Sequence, residues 1–308
     1  MYFPYLRGKQ FELEALRDVN PIVYQNTRPI VEPVTLTRRN NYVRLANQNV
    51  PFILITNPYH PINDRLAANS IQNLITTELA PSTAMILGFL IDLRPVNIAD
   101  LTTFLATHPN RQKALIFRHS PLSNAILTSI QALITANPVL YLIFDEDKTN
   151  ALLRNTFISY ANRVLITDGF QHEISNALYP AASNFGSIYQ TWQTAGWVGI
   201  GDYLTIGDYF STTGGQAMVV TLHITKETPN GIVSHHFSSI TNSSTRGFVA
   251  QKFAEANNLL VNSPHITPLN SSGLNLYRTW YTTSHNPQPG AAKKASIMHH
   301  IELMSSII

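Results

Sequence analysis

This 308-residue chain contains no cysteine. Thiolate metal ligands, cysteine nucleophiles and disulfide frameworks are therefore excluded together. What remains for chemistry are carboxylates, histidines and basic side chains. Several of them stand at the ends of short apolar runs: Glu32, Asn57, Asp92, Arg118 with His119, Asp145, Asp168 and Asp202. Carboxylates gathered from such positions could hold Mg²⁺ or Mn²⁺, hard cations that take oxygen ligands. In that arrangement Glu32, Asp92 and Asp202 are the metal ligands, Lys9 or Arg118 stabilises anionic oxygen, and His223 or His236 moves protons. The reaction would be metal-assisted hydrolysis of a phosphoester in a nucleotide-like substrate. A structural role competes for the same residues, since Asp or Asn after a strand starts a turn or caps the next helix.

Other catalytic patterns are incomplete. Neither Gly186-Ser187 nor Ser272-Gly273 completes a Gly-x-Ser-x-Gly elbow, and Gly214-Gly215 is not followed by the Gly-Lys-Ser/Thr of a phosphate loop. Gly199-Ile200-Gly201 admits two explanations, close backbone approach to a phosphate or turn geometry. His235-His236 sits in a strand-like run, so its two side chains point to opposite faces and only one can line a given site. His299-His300 with Glu302 lacks the spacing of a His-Glu-x-x-His zinc helix and reads as packing or helix surface.

The elements that must position these residues alternate regularly. Apolar runs at Phe3–Leu6, Pro29–Val34, Phe52–Thr56, Met85–Ile91, Ala114–Phe117, Val139–Phe144, Val164–Thr167 and Trp197–Ile200 are separated by stretches of helical periodicity. The runs are continuous rather than alternating, as in strands buried on both faces of a parallel sheet. Eight strand–helix units in about 200 residues predict an α/β fold with a (β/α)8 barrel-like core. A doubly wound open sheet is the rival, but no Gly-rich turn follows Leu6. Beyond Tyr209 the pattern changes. Met218–Ile224 and Ile232–Phe237 flank Pro229-Asn230-Gly231 as a hairpin, Phe248–Leu260 is helical, 261–290 is loop-like, and Ala291–Ile308 closes as a helix. The expected layout is a barrel-like core over 1–210 and, over 211–308, a β-hairpin with helical elaboration, forming a single domain.

Composition narrows the partners. The net charge of +3 and the 13% of charged residues leave no basic run; Arg38-Arg39 with Arg44 is the densest cluster. Nucleic acid is a partner the composition does not favour. The segment Met1–Lys9 has no cationic lead before an apolar run, and the longest apolar stretch, Met85–Ile91, is far shorter than the ~20 residues a spanning helix needs. No membrane association is expected, and cytoplasmic placement is the simplest expectation.

Several stretches taken together resemble a known family. Tyr5 to Leu16, then Arg28-Pro29-Ile30-Val31-Glu32-Pro33, resemble the opening of the beta protein family, named after a protein of T-even phages. Gly199-Ile200-Gly201-Asp202-Tyr203, Gly214-Gly215-Gln216-Ala217, the run reaching His223, and His236-Phe237-Ser238-Ser239 are similar to its C-terminal pattern, in the same order. The likeness extends from Tyr2 to about Leu260 and is closest to a bacterial subgroup. Lys9, Glu12, Glu32, Gly201, Asp202, Tyr203, His223, His236 and Ser238 match residues typical of the family, while Ile200 stands where an aromatic is usual. The resemblance implies association with mobile elements or antiviral (phage) defence. Two functions follow as expectations: the metal-assisted hydrolase above, or a non-enzymatic recognition or immunity component that binds a partner protein encoded nearby.

Overall fold

The computed structural model describes residues 1–60, 70–210 and 218–308. The expected helix start at Asn63-Asp64 and the Gly-rich turn at Ser211–Gly215, with the stretch to Ala217, lie outside the described residues. Two compact units are interleaved along the chain. One comprises Met1–Lys9, Thr27–Thr167 and Thr191–Asp202; the other comprises Gln10–Asn26, Asp168–Gln190 and Tyr203–Ile308. The second unit draws on both segments expected from the sequence, 1–210 and 211–308.

The first unit is the predicted barrel. Its eight parallel strands are β1 (Tyr5–Leu6), β2 (Ile30–Val31), β3 (Ile53–Ile55), β4 (Ile86–Ile91), β5 (Lys113–Phe117), β6 (Tyr141–Asp145), β7 (Arg163–Thr167) and, after β8 (Ala182–Gly186) of the other unit, β9 (Gly199–Asp202). Each pairs with the next in chain order, from Tyr5 opposite Ile30 through to Val164 opposite Gly199. Apolar side chains on both faces of these strands are buried, which is why the sequence shows runs rather than alternation. Helices fill the crossovers: α2 (Arg39–Asn47), α3 (Ser70–Thr77), α4 (Ile98–Ala106), α5 (Asn124–Ala136) and α6 (Ala151–Thr156), while α1 (Gln10–Asp18) belongs to the second unit. Three have side-chain caps written in the sequence. Asn97, Ser123 and Asn150 accept hydrogen bonds from Ala99, Ile126 and Leu153 N–H at 3.0, 3.3 and 2.9 Å.

The segment Met1–Phe3 closes the ring against β9. Tyr2 bridges Ile200 in parallel; Phe3 N–H donates to Ile200 C=O at 2.8 Å, and Ile200 N–H donates to Met1 C=O at 3.0 Å. This explains Gly199-Ile200-Gly201. A Cβ at Gly201 would stand 2.0 Å from the Phe3 carbonyl oxygen, and one at Gly199 would stand 2.4 Å from the Phe3 ring. Neither of the two readings offered for these glycines applies, because they lie within a strand at the seam.

The second unit carries the hairpin. Strands β10 (Thr221–Thr228) and β11 (Gly231–Ser238) are antiparallel around Pro229-Asn230, and β11 also pairs with β8, in the order β10-β11-β8. Helices α7 (Val249–Val261), α8 (Ser272–Thr282) and α9 (Pro289–Ile307) follow. Leu222, Ile224, Phe253, Leu260, Leu274 and Tyr277 form the core of this unit. The helix α8 falls in the stretch expected to be loop. Its serines and prolines are end signals: Ser271 Oγ accepts from Leu274 N–H at 3.0 Å, and Pro289 occupies the first turn of α9.

Substituting Gly201→Ala must displace Phe3 backbone and open the seam, at a cost of ~1–3 kcal/mol by the usual scale of overpacking. Urea denaturation of the purified variant, with circular dichroism as readout, checks this.

Candidate functional site

At the carboxyl ends of the barrel strands, charges are buried in pairs. Arg7, two residues beyond Tyr5 on the same strand face, pairs through Nη1 with Glu32 Oε2, directly after β2. The Tyr5 hydroxyl donates to the same oxygen at 2.7 Å, and Tyr59 N–H donates to Glu32 Oε1 at 2.7 Å. Arg118, directly after β5, bonds Asp145 at the end of β6 at 3.0 Å. The guanidinium carbons of Arg7 and Arg118 lie 5.0 and 5.2 Å from the centroid of the Tyr5 ring. Burial raises the Glu32 carboxyl, but Arg7, the Tyr5 hydroxyl, Arg118 and Tyr59 N–H together outweigh it and hold the group below its ordinary range. Tyr5 is pushed far up, first by burial and then by the adjacent Glu32 carboxylate.

The remaining expected ligands have their own partners. Asp92 is gripped by Arg94, at 2.9 Å from Nε and 2.5 Å from Nη2, and Asp202 accepts from the Tyr2 hydroxyl at 2.8 Å. Glu32, Asp92 and Asp202 thus stand in separate pairings with protein groups. Among the described residues, no three His, Asp or Glu side chains are grouped to hold a metal ion. Lys9 is half-buried beyond the Arg7-Gly8 turn. A cleft of about 260 Å³ opens beside β4, lined by Asn57, Leu90, Asp92, Arg94, Asn97 and Asp100 among others.

The histidines come together in the second unit. Register sets His223 of β10 opposite His236 of β11, and their Nδ1 atoms are 2.7 Å apart. The Nε2 of His236 lies 2.8 Å from Ser183 Oγ on β8. The rings of Phe170 and Tyr179 pack edge-on against His223, with centroids at 5.0 and 4.6 Å. Burial drives His223 well below its ordinary value, with His236, Lys293 and His172 adding to the shift. Burial, helped by His235, pushes His236 down to about 4.

Alternation places His235 on the other face, stacked on His265 with ring centroids 4.7 Å apart, as the strand pattern predicts. His299 and His300 serve packing. His299 reaches Ser271 Oγ at 2.9 Å and the Thr225 carbonyl at 2.7 Å, and His300 reaches Thr225 Oγ1 at 2.7 Å.

Two members of these clusters escaped the sequence reading. Tyr5 shares a strand face with Arg7, a spacing visible in the sequence, but an apolar run hides its hydroxyl. Ser183 lies in Ala182–Gly186, a strand whose Ala-Ser-Asn-Phe-Gly sequence carries no β-rich run.

Arg118→Ala removes a guanidinium from the fully buried Asp145 and is expected to cost ~3–5 kcal/mol, whereas Arg118→Met with Asp145→Leu costs less than either single change. Chemical denaturation of the three variants measures the difference. Acid should also destabilise the fold. His236 and His299 titrate near 4 when folded against 6.5 ordinarily, so the unfolded chain binds more protons between those values. Stability is then full above pH 6.5 and falls as pH drops toward 4, and the lowered carboxyl of Glu32 adds a further loss below its ordinary value. Thermal melts across pH 4–8 check the direction.

No family model and no curated protein sequence matches the chain. Among solved structures it is similar to the homocysteine methyltransferase MmuM from Escherichia coli, apo form, with a TM-score of 0.37 and 16% identity over 66% of this chain and 89% of that one. Among the described residues, no helix is long and apolar enough to cross a membrane. By strand order, one unit of the chain is a parallel (β/α)8-type barrel and the other holds an antiparallel three-stranded sheet with helices.

Proposed function

We propose that the protein is a hydrolase of ester-type bonds, phosphoesters included, in which the His223–His236 pair moves the protons. One observation carries this reading: the 2.7 Å contact between the two Nδ1 atoms, with the opposite nitrogen of His236 turned to a hydroxyl at 2.8 Å. Two nitrogens that close must share one proton, so one ring donates and the other accepts. If Ser183 donates its hydroxyl proton to His236 Nε2, then Nδ1 of His236 carries a hydrogen and His223 Nδ1 offers the lone pair. This tautomer arrangement leaves His236 a base with an oriented ring. When His236 takes up a proton, His223 stabilises the resulting imidazolium through the same contact.

The reading relocates chemistry from the barrel's strand ends to the antiparallel sheet. It keeps the expected proton carriers, His223 and His236, and assigns Glu32, Asp92, Arg118 and Asp202 to buried pairs that hold the strand ends together. His236, whose conjugate acid titrates at about 4, is neutral across the physiological range and so carries the lone pair a base needs.

The purified chain is expected to hydrolyse activated esters, assayed with p-nitrophenyl acetate and bis(p-nitrophenyl) phosphate, and His236→Asn should lower kcat/KM by ~10²–10⁴. The acid limb of kcat/KM should lie near pH 4 rather than 6.5, since the neutral form is the active one. Equal rates in wild type and His236→Asn sink the reading.

A further inference from the structure

Resting on the hydrolase reading above, we infer that Ser183 is the nucleophile of this site and that its substrate class is an uncharged carboxylic ester with an apolar acyl group. The hydrogen-bonded series Ser183 Oγ, His236 Nε2, His236 Nδ1, His223 Nδ1, with separations of 2.8 and 2.7 Å, is the order in which a hydroxyl, its general base and a ring-orienting acceptor must stand. Three strands fix it. Ser183 is on β8, His236 on β11 and His223 on β10, and antiparallel register brings all three to one face of the sheet.

A fourth group points the same way. Ser234 stands directly opposite Ser183, is fully buried, and among the described residues its hydroxyl has no hydrogen-bond partner. A buried donor without a partner costs free energy unless something else accepts from it. Beside a nucleophile it is suited to the oxyanion that forms when Ser183 adds to a carbonyl.

The surroundings specify the substrate. Phe170 and Tyr179 wall the imidazoles. Asn176 bonds Val219 C=O at 2.8 Å and accepts from Thr221 Oγ1 at 2.9 Å, tying the loop after Phe170 to the start of β10. That loop exposes Ile174 (93%) and Leu178 (54%), apolar side chains of the same segment that supplies Phe170 and Tyr179, and suited to an acyl chain. Charged or titratable neighbours of His223 are His236, His172 and Lys293, and His235 acts on His236; of these it is His236 that bonds Ser183.

The chemistry balances with water as the co-reactant. Ser183 Oγ bonds to the carbonyl carbon while its proton passes to His236 Nε2. The bond from carbon to the alcohol oxygen breaks as that proton is returned to the leaving alcohol, and an acyl-Ser183 ester remains. Water then attacks, giving a proton to His236 Nε2. The acid leaves as Ser183 Oγ takes the proton back. His223 is a positioning residue, since it acts through His236.

The test uses the full chain with p-nitrophenyl butyrate as substrate and a dialkyl fluorophosphate as covalent probe. Intact-mass measurement should give one adduct, mapped by peptide sequencing to Ser183. Ser183→Ala should lose the adduct and at least ~10² of the turnover, and Ser234→Ala should lose ~10² of turnover while retaining the adduct. His223→Ala should shift the acid limb of kcat/KM as well as lower the rate, which a merely structural change would not do. Circular dichroism of each variant checks folding, and Ser183→Cys tests whether a nucleophile of similar size restores acylation. If Ser183→Ala turns over ester like wild type, or the adduct maps elsewhere, the nucleophile assignment is overturned. Loss with His236→Asn would then leave the hydrolase reading intact, with water attacking the carbonyl directly. A wild type that neither cleaves ester nor phosphoester nor takes the probe overturns both.

Discussion

A parallel barrel of eight strands depends on one condition, that the first and last strands find each other's backbone. An open edge would leave N–H and C=O groups unpaired, and only closure removes such an edge altogether. Here the N-terminal three residues supply the missing strand contact, donating to and accepting from Ile200. Close approach of Phe3 is tolerated because both neighbours of Ile200 are glycine. The polar strand ends inherit their placement from this closure: Tyr2 reaches Asp202 only because its backbone is stitched to β9.

Charge at those strand ends is balanced locally. Arg7 meets Glu32, Arg118 meets Asp145 and Arg94 meets Asp92. Isolated buried charges are prohibitive, so each carboxylate recruits a guanidinium or hydroxyl rather than leaving its oxygens to solvent. The same balance explains why the small net charge of the sequence says little about the interior. It also explains why carboxylates that looked like a metal set are spoken for by protein groups.

The antiparallel sheet solves a different problem with its two faces. Leu222, Ile224 and Phe237 turn to the apolar core with α7 and α8, while Thr221, His223, Thr225, Ser234, His236 and Ser238 share the other face. Strict alternation makes this separation automatic once the hairpin is set by Pro229-Asn230-Gly231. The imidazoles then lie in surroundings poor in water, which favours their neutral forms.

Eight strand runs, their order, and the hairpin were legible in the residues themselves, because burial on both faces leaves continuous apolar stretches and turn chemistry leaves Asn-Gly. His223 and His236 were legible as candidate proton carriers by type. Their contact was not, since it arises from register between strands whose pairing no local pattern reports. Ser183 lay deeper still: it sits in a strand held by its neighbour's hydrogen bonds rather than by its own β propensity, so its sequence looks like loop. The sequence alone determined the α/β class and the kinds of side chain available for chemistry, because periodicity and composition are local properties. Only the tertiary structure decided which of those side chains meet, because strand register and barrel closure join residues up to two hundred positions apart.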